Sequence, residues 1–130
     1  MKPKILIVLA DYYKKISVEM LDSTINLIDK KSKFNLIRVP GVFEIPVVIS
    51  KNIKKYDGFI ALGCVIKGET PHFDFISSAT TNAIMKLSIE HKKPIGNGVI
   101  TCLNIKQAKA RSKSKGIEAS KAVLSVLKVF

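Results

Sequence analysis

The residue types best suited to chemistry gather in Gly68-Glu69-Thr70-Pro71-His72. Thr70 can cap a helix, and Pro71 fits the first helical position, where a missing N–H forfeits no hydrogen bond. A helix start of this kind exposes backbone N–H groups and partial positive charge, which suits a phosphate. His72 falls in the first turn beside that opening and, as a histidine, could transfer protons near neutral pH, although a helix N-terminus disfavours imidazolium. A capped helix with a solvated histidine and no ligand fits the same spacing, and the sequence leaves both readings open. Pro40-Gly41-Val42-Phe43-Glu44 is a glycine turn opening another helix, with the Glu44 carboxylate next to exposed backbone donors. That mixture suits a hydroxyl-rich ligand; equally, Glu44 can do no more than complement the helix dipole. Tyr12 and Tyr13 could stack on a flat heterocycle or simply cover the end of a sheet. Helical spacing puts Lys106, Lys109 and Lys113 near one face, with Arg111 elsewhere on the turn as an exposed charge. The chain has no P-loop, dinucleotide-binding glycine pattern, zinc-ligand spacing or serine nucleophile elbow, so the activities that rest on them lose their usual support.

A frame must hold these turns. Ile5-Leu6-Ile7-Val8-Leu9-Ala10 is a continuous apolar run, the pattern of a strand buried on both faces as in parallel sheets. Phe59 to Ile66 is another, Phe34 to Val39 alternates weakly, and Ile95 to Leu103 ends beside Asn104. Between them the period becomes helical: Ile16, Met20, Leu21, Ile25, Leu27 and Ile28 predict one helix, and Val42, Ile45, Val48, Ile49 and Ile53 a second. A third is expected from Pro71 to Glu90, with Ile76, Ala79, Ala83, Ile84, Leu87 and Ser88 facing inward. The last starts at its N-cap Asn104, is expected to break around Ser112 to Gly116, and resumes through Leu127. Strand-then-helix units of this sort predict one α/β domain over residues 1–130, three-layer αβα with a parallel sheet. Ligands of such sheets bind beyond the C-terminal strand ends, so Asp11-Tyr12-Tyr13 and residues 39–46 and 67–74 should open on one edge.

With 130 residues, 47% hydrophobic and 25% charged, the chain can bury an apolar core without metal or disulfide staples. Its charge is unusual: 22 Lys+Arg against 10 Asp+Glu leave +12. Only Arg38 and Arg111 are arginine, whereas base readout and bidentate phosphate clamps lean on arginine. The lysines come as scattered pairs, Lys14/Lys15, Lys30/Lys31, Lys54/Lys55 and Lys92/Lys93, without interleaved aromatics. That points away from nucleic acid and toward a solvated surface that can attract an anionic small substrate. Cys64 and Cys102 lie in apolar runs without CxxC spacing, the pattern of buried thiols in a reducing compartment. Neither is expected to serve as a nucleophile or metal ligand. Met1-Lys2-Pro3-Lys4 before Ile5 mimics a signal peptide, but the apolar run stops at Asp11, and no run approaches a membrane span. The cytoplasm is the expected compartment.

Val39-Pro40-Gly41-Val42-Phe43-Glu44-Ile45-Pro46 and Ala61-Leu62-Gly63-Cys64-Val65-Ile66-Lys67-Gly68-Glu69-Thr70-Pro71-His72-Phe73-Asp74 resemble the two signature stretches of the lumazine synthase family. The similarity runs on in order through Gly98-Val99-Ile100-Thr101 and Asn104-Ile105-Lys106-Gln107-Ala108 to Arg111. The resemblance implies a flavodoxin-like subunit with a four-stranded parallel sheet. It also implies a reaction of riboflavin biosynthesis: 5-amino-6-(D-ribitylamino)uracil condenses with 3,4-dihydroxy-2-butanone 4-phosphate to 6,7-dimethyl-8-ribityllumazine, with release of phosphate and water and without a metal or organic cofactor. In the family's pattern Tyr12 stacks on the pyrimidine, Gly41, Val42, Phe43 and Glu44 meet the ribityl chain, and Cys64, Val65 and Ile66 line the ring site. Gly68, Glu69 and Thr70 meet the phosphate, and His72 shuttles protons. Arg111, assisted by Lys115, reaches that phosphate from a neighbouring subunit, so the resemblance implies self-association, typically to a pentamer or pentamer-based assembly, with sites between subunits. The sequence departs from the pattern where Tyr13 replaces a usual Asn and where Asn97 stands at the place of an aromatic with which the neighbour covers the ring. The stretch from Arg111 to Gly116 is also shorter than the family's glycine- and lysine-rich kink. These last departures leave open a non-catalytic flavin- or lumazine-binding member of the same fold. An archaeal-type riboflavin synthase shares the fold, but Gly68-Glu69-Thr70-Pro71-His72 points away from it.

Overall fold

The apolar runs become the sheet. In the computed structural model, which describes residues 2–68 and 73–129, strands β1 (Lys4–Ala10), β2 (Lys33–Val39), β3 (Gly58–Ile66) and β4 (Ile95–Cys102) lie parallel in the order β2-β1-β3-β4. Inner strands β1 and β3 have both faces covered, which is why their runs are unbroken: Ile5 through Leu9 and Phe59 through Leu62 are wholly buried. The edge strands alternate instead. Helices α1 (Lys14–Ile28) and α4 (Ile105–Val126) pack over Ile5, Ile7, Leu9, Ile60 and Leu62. On the other face α2 (Ile45–Lys51) and α3 (Phe73–His91) pack over Leu6, Val8, Phe59 and Ala61. The result is the expected three-layer α/β arrangement. From β1 the chain moves outward to β2 and then returns across the sheet to β3, so β1 and β3 flank the point where the strand order reverses. Diverging connections at such a point leave a crevice above the C-terminal strand ends.

The expected break in the last helix does not occur: α4 runs without interruption through Ser112-Lys113-Ser114-Lys115-Gly116. Serine and glycine weaken a helix when only local preference counts. Here Ser112, Gly116, Ala119 and Ser120 form a buried stripe of small side chains, and at Gly116 the backbone of α4 comes against α1. A Cβ at Gly116 would lie 2.7 Å from the Met20 carbonyl oxygen, while the Gly116 carbonyl accepts from Ser120 Oγ at 2.7 Å and from Thr24 Oγ1 at 3.4 Å. Close packing of the two helices overrides local preference. Asn104 caps α4 as expected: its Oδ1 accepts from the Gln107 N–H at 2.9 Å, and Gln107 Oε1 accepts from the Leu103 N–H at 2.8 Å.

The second helix is shorter than its periodicity predicts. Val42–Glu44 form a single 3-10 turn, and α2 covers only Ile45–Lys51, because Pro46 has no N–H with which to close an α-helical bond to Val42. The inner line of α3 runs through Thr80 and Ile84; Ala79, expected inward, is one position off that line and exposed. Pro71, the expected first residue of that helix, lies outside the described residues. Cys102 is buried as expected, whereas Cys64 is only half-buried, because the end of β3 opens into the crevice. Among the described residues no helix is long and apolar enough to cross a membrane.

Candidate active site

A cleft of about 260 Å³ occupies the crevice. Ala10 ends β1 at its floor, and the following turn brings Tyr12 and Tyr13. The turn after β2 contributes Gly41 and Val42, the end of β3 contributes Cys64, Val65 and Ile66, and α3 closes the wall with Ile76. Ser17, one turn into α1 and 3% exposed, donates its hydroxyl to both the Ala10 carbonyl at 3.1 Å and the Tyr13 carbonyl at 3.0 Å, which ties the aromatic turn to the strand end. The Tyr12 and Tyr13 rings meet edge-on, centroids 4.9 Å apart, with Tyr12 itself largely exposed.

Gly41 is extended, with φ −151° and ψ 172°, so its conformation does not require glycine. The space beside it is narrow: a Cβ there would lie 3.3 Å from Glu44 Oε1, the end of a flexible side chain, because the carboxylate folds back over the turn. Glu44 thus sits beside the cleft rather than in its wall, and Phe43 points outward and is exposed. Gly68, at the exit from β3, has a φ of +92°, a conformation that does favour glycine. Glu69, Thr70 and His72 fall outside the described residues.

Arg111 and Lys115 do not enter this cleft. With Ser114 and Glu118 they occupy positions i, i+3, i+4 and i+7 of α4 and so share one helix face. That face lies over Val99, Ile100 and Thr101 of edge strand β4 and encloses a separate hollow of about 320 Å³. Asn97, also on β4, is exposed, and its Oδ1 accepts from the Val99 N–H at 3.1 Å. The structure therefore divides the candidate residues into a cleft at the strand ends and a cationic hollow on the outer edge. Ala10 and Ile76 in the cleft, and Glu118 in the hollow, carry no motif that marks them in the sequence, whereas Thr101 belongs to the Gly98–Thr101 stretch and Ser114 to the stretch from Arg111 to Gly116. Among the described residues no group of three His, Cys, Asp or Glu side chains could hold a metal ion.

Burial, and secondarily the nearby Cys102, pushes the Cys64 thiol up to about 12 from an ordinary 9.0. It therefore stays protonated in the cleft and offers polarisable apolar surface rather than a nucleophile. Alkylation of Cys64 by iodoacetamide, followed by mass spectrometry, should keep accelerating with rising pH through about pH 10, where an unperturbed thiol would already be levelling off. A plateau near pH 9 would contradict this.

Residues 2–130 match the sequence profile of the 6,7-dimethyl-8-ribityllumazine synthase family. The chain is 40% identical over 134 residues to the 6,7-dimethyl-8-ribityllumazine synthase of Bartonella tribocorum, an alignment covering 97% of this chain and 89% of that protein. It is 38% identical over 140 residues to the enzyme of that name from Agrobacterium fabrum, covering 98% and 95% respectively. A third relative of the same name, from Desulfovibrio desulfuricans, is 43% identical over 101 residues, 73% of this chain and 65% of that protein. Since the match spans the whole sheet and every turn that lines the cleft, the chain belongs to the 6,7-dimethyl-8-ribityllumazine synthase family.

Proposed function

We infer that the protein is a transferase of riboflavin biosynthesis that condenses 5-amino-6-(D-ribitylamino)uracil with 3,4-dihydroxy-2-butanone 4-phosphate to form 6,7-dimethyl-8-ribityllumazine. The observation that carries this reading is the cleft itself: the aromatic turn, the Gly41 turn and the end of β3 converge on one small hollow in a chain of this family. In this reading Tyr12 stacks on the flat pyrimidine over the apolar floor of Cys64, Val65 and Ile66. Gly41, Val42 and Phe43 supply backbone groups, and Glu44 a carboxylate, to the hydroxyls of the ribityl chain. Gly68, Glu69 and Thr70 receive the phosphate, and His72 moves protons. The amine of the pyrimidine attacks the ketone and the adduct loses water to give an imine, phosphate is eliminated from the imine, tautomerisation of the resulting enol supplies the second carbonyl, and the ribityl-bearing nitrogen closes onto it with loss of a second water. None of these steps requires a metal or an organic cofactor. Most of the acceleration comes from holding two substrates together, since effective molarities can reach about 10⁵–10⁸ M.

The placement of Arg111 and Lys115 on the outer edge supports their serving the phosphate of a neighbouring copy; Asn97 is on the same edge strand, β4. Phe75, Met85 and Ile89 on α3 and Val47 on α2 are exposed apolar side chains, which supports their burial in a pentamer or pentamer-based assembly. Two free cysteines support a cytoplasmic setting. Membranes and nucleic acids have no part in this reading. Steady-state assays with both substrates test the roles. Arg111→Ala should raise KM for the phosphorylated butanone and leave KM for the pyrimidine in place; an unchanged KM removes Arg111 from the site. His72→Ala should lower kcat by about 10²-fold, the small end of the ~10²–10⁴ range for general acid–base groups, because positioning dominates. Complete loss of activity in a folded, assembled His72→Ala protein would overturn that ranking.

A further inference from the structure

The turns that carry Tyr12 and Gly41 leave the sheet at the same rung. β1 and β2 pair as far as Ala10 opposite Val39, and one more backbone bond, from the Asp11 N–H to the Val39 carbonyl at 3.0 Å, extends the ladder. Pro40 follows and has no N–H to donate, so it can add no rung of its own. A side-chain pair spans the two turns instead. Arg38 Nη1 donates to Asp11 Oδ2 at 3.2 Å, and Lys14 Nζ approaches the same oxygen at 3.5 Å. Asp11 directly precedes Tyr12, and Arg38 stands just ahead of Val39-Pro40-Gly41. Among the described residues the other ion pairs join neighbours one helical turn apart, Lys14 with Asp11 and Lys86 with Glu90; Arg38 with Asp11 is the pair that links distant parts of the chain.

We propose that the Asp11–Arg38 pair is a positioning device for the pyrimidine substrate: it fixes the separation between the Tyr12 turn and the Gly41-Val42 turn and so preorganises both halves of one binding site. The proposal rests on reading the cleft as the site of 5-amino-6-(D-ribitylamino)uracil. Neither residue lines the cleft, so the pair acts through the turns and not by touching substrate. A turn already held in its bound position does not have to be ordered when the ligand arrives, and a competent conformation populated only part of the time weakens apparent affinity by that fraction. Lys14 supplies an internal control. It neutralises the same carboxylate from within the first turn but bridges nothing, so its removal tests charge without testing the cross-link.

The experiment compares Arg38→Ala, Asp11→Asn, Lys14→Ala and the swapped pair Asp11→Arg/Arg38→Asp, with KM for each substrate, kcat and equilibrium binding of the ribitylaminouracil by quenching of tyrosine fluorescence. Arg38→Ala and Asp11→Asn should each raise KM for the pyrimidine about fivefold, the effect of an ion pair at the upper end of the exposed range, while kcat and KM for the phosphorylated butanone stay within about twofold. Lys14→Ala should leave all three in place, and the swapped pair should recover pyrimidine affinity. An unchanged pyrimidine KM, equal rises for both substrates, a Lys14→Ala effect equal to that of Arg38→Ala, or a swapped pair as impaired as the single variants would overturn the proposal. If the wild-type protein binds the pyrimidine without turnover, the binding series still decides this point while the reaction itself is refuted. A wild-type protein that does neither removes both.

Discussion

Gly63→Ala is expected to lower kcat/KM by about 10²-fold in a protein that still folds. Gly63 is buried in β3, and a Cβ there would lie 2.6 Å from Val42 Cγ1 and 3.0 Å from Ala10 Cβ. Both neighbours line the cleft. Carbon atoms settle at about 3.5–4.0 Å, so something must retreat by about an ångström. Ala10 belongs to an inner strand paired on both sides, whereas Val42 opens a single 3-10 turn. Val42 therefore gives way and carries the Gly41 turn with it. Overpacking of this kind typically removes about 1–3 kcal/mol of stability, but a displacement of that size at a binding wall can lower the rate about 10²-fold. Adding Val42→Ala should return the urea midpoint toward wild type, the non-additivity expected of two groups in contact. Full activity in Gly63→Ala would show that the position of Val42 does not matter to the reaction.

The largest loss of stability is expected at Gly116, where local preference and packing predict opposite signs. In an isolated helix, replacing glycine by alanine gains about 1 kcal/mol. In this protein the added methyl meets Ser23 Oγ and, at 2.7 Å, the Met20 carbonyl oxygen, a backbone atom that moves only if α1 moves. Gly116→Ala should therefore lower the urea midpoint, and Gly116→Val, with two more carbons at the same crossing, should cost about 3 kcal/mol or more. The slope of the unfolding transition should stay unchanged, since the surface exposed on unfolding is the same. A stabilised Gly116→Ala protein would mean that α1 and α4 are not packed this closely.

That crossing also shows what the sequence pattern conveys and what it conceals. β1 and β3 are legible because a strand covered on both faces must be apolar throughout, and Asn104 is legible because a cap is a local device. The continuity of α4 is not: Ser112 to Gly116 reads as a break until a partner helix gives the small size of Ser112 and Gly116 a use. Pro46 has its effect through a missing donor, which hydrophobic period does not register, so the helix after β2 reads as longer than it is. Site residues divide in the same way. Tyr12, Gly41 and Val42 lie in turns found by looking at the strand ends, where the topology of an α/β sheet puts ligands, whereas Cys64 to Ile66 are marked by the family resemblance. Ala10 and Ile76 share the cleft but are apolar and unremarked by any motif. The separation of Arg111 and Lys115 from the cleft follows from the face of α4 they occupy, which depends on the helix being unbroken.

Incubating the purified protein with 5-amino-6-(D-ribitylamino)uracil and 3,4-dihydroxy-2-butanone 4-phosphate, and following 6,7-dimethyl-8-ribityllumazine by its absorbance against the uncatalysed background, decides whether the cleft performs the condensation. Product formation that saturates in both substrates, accompanied by one phosphate per turnover, is the expected result. Binding of the pyrimidine with no product above background would contradict it and leave a protein that has the cleft without the chemistry.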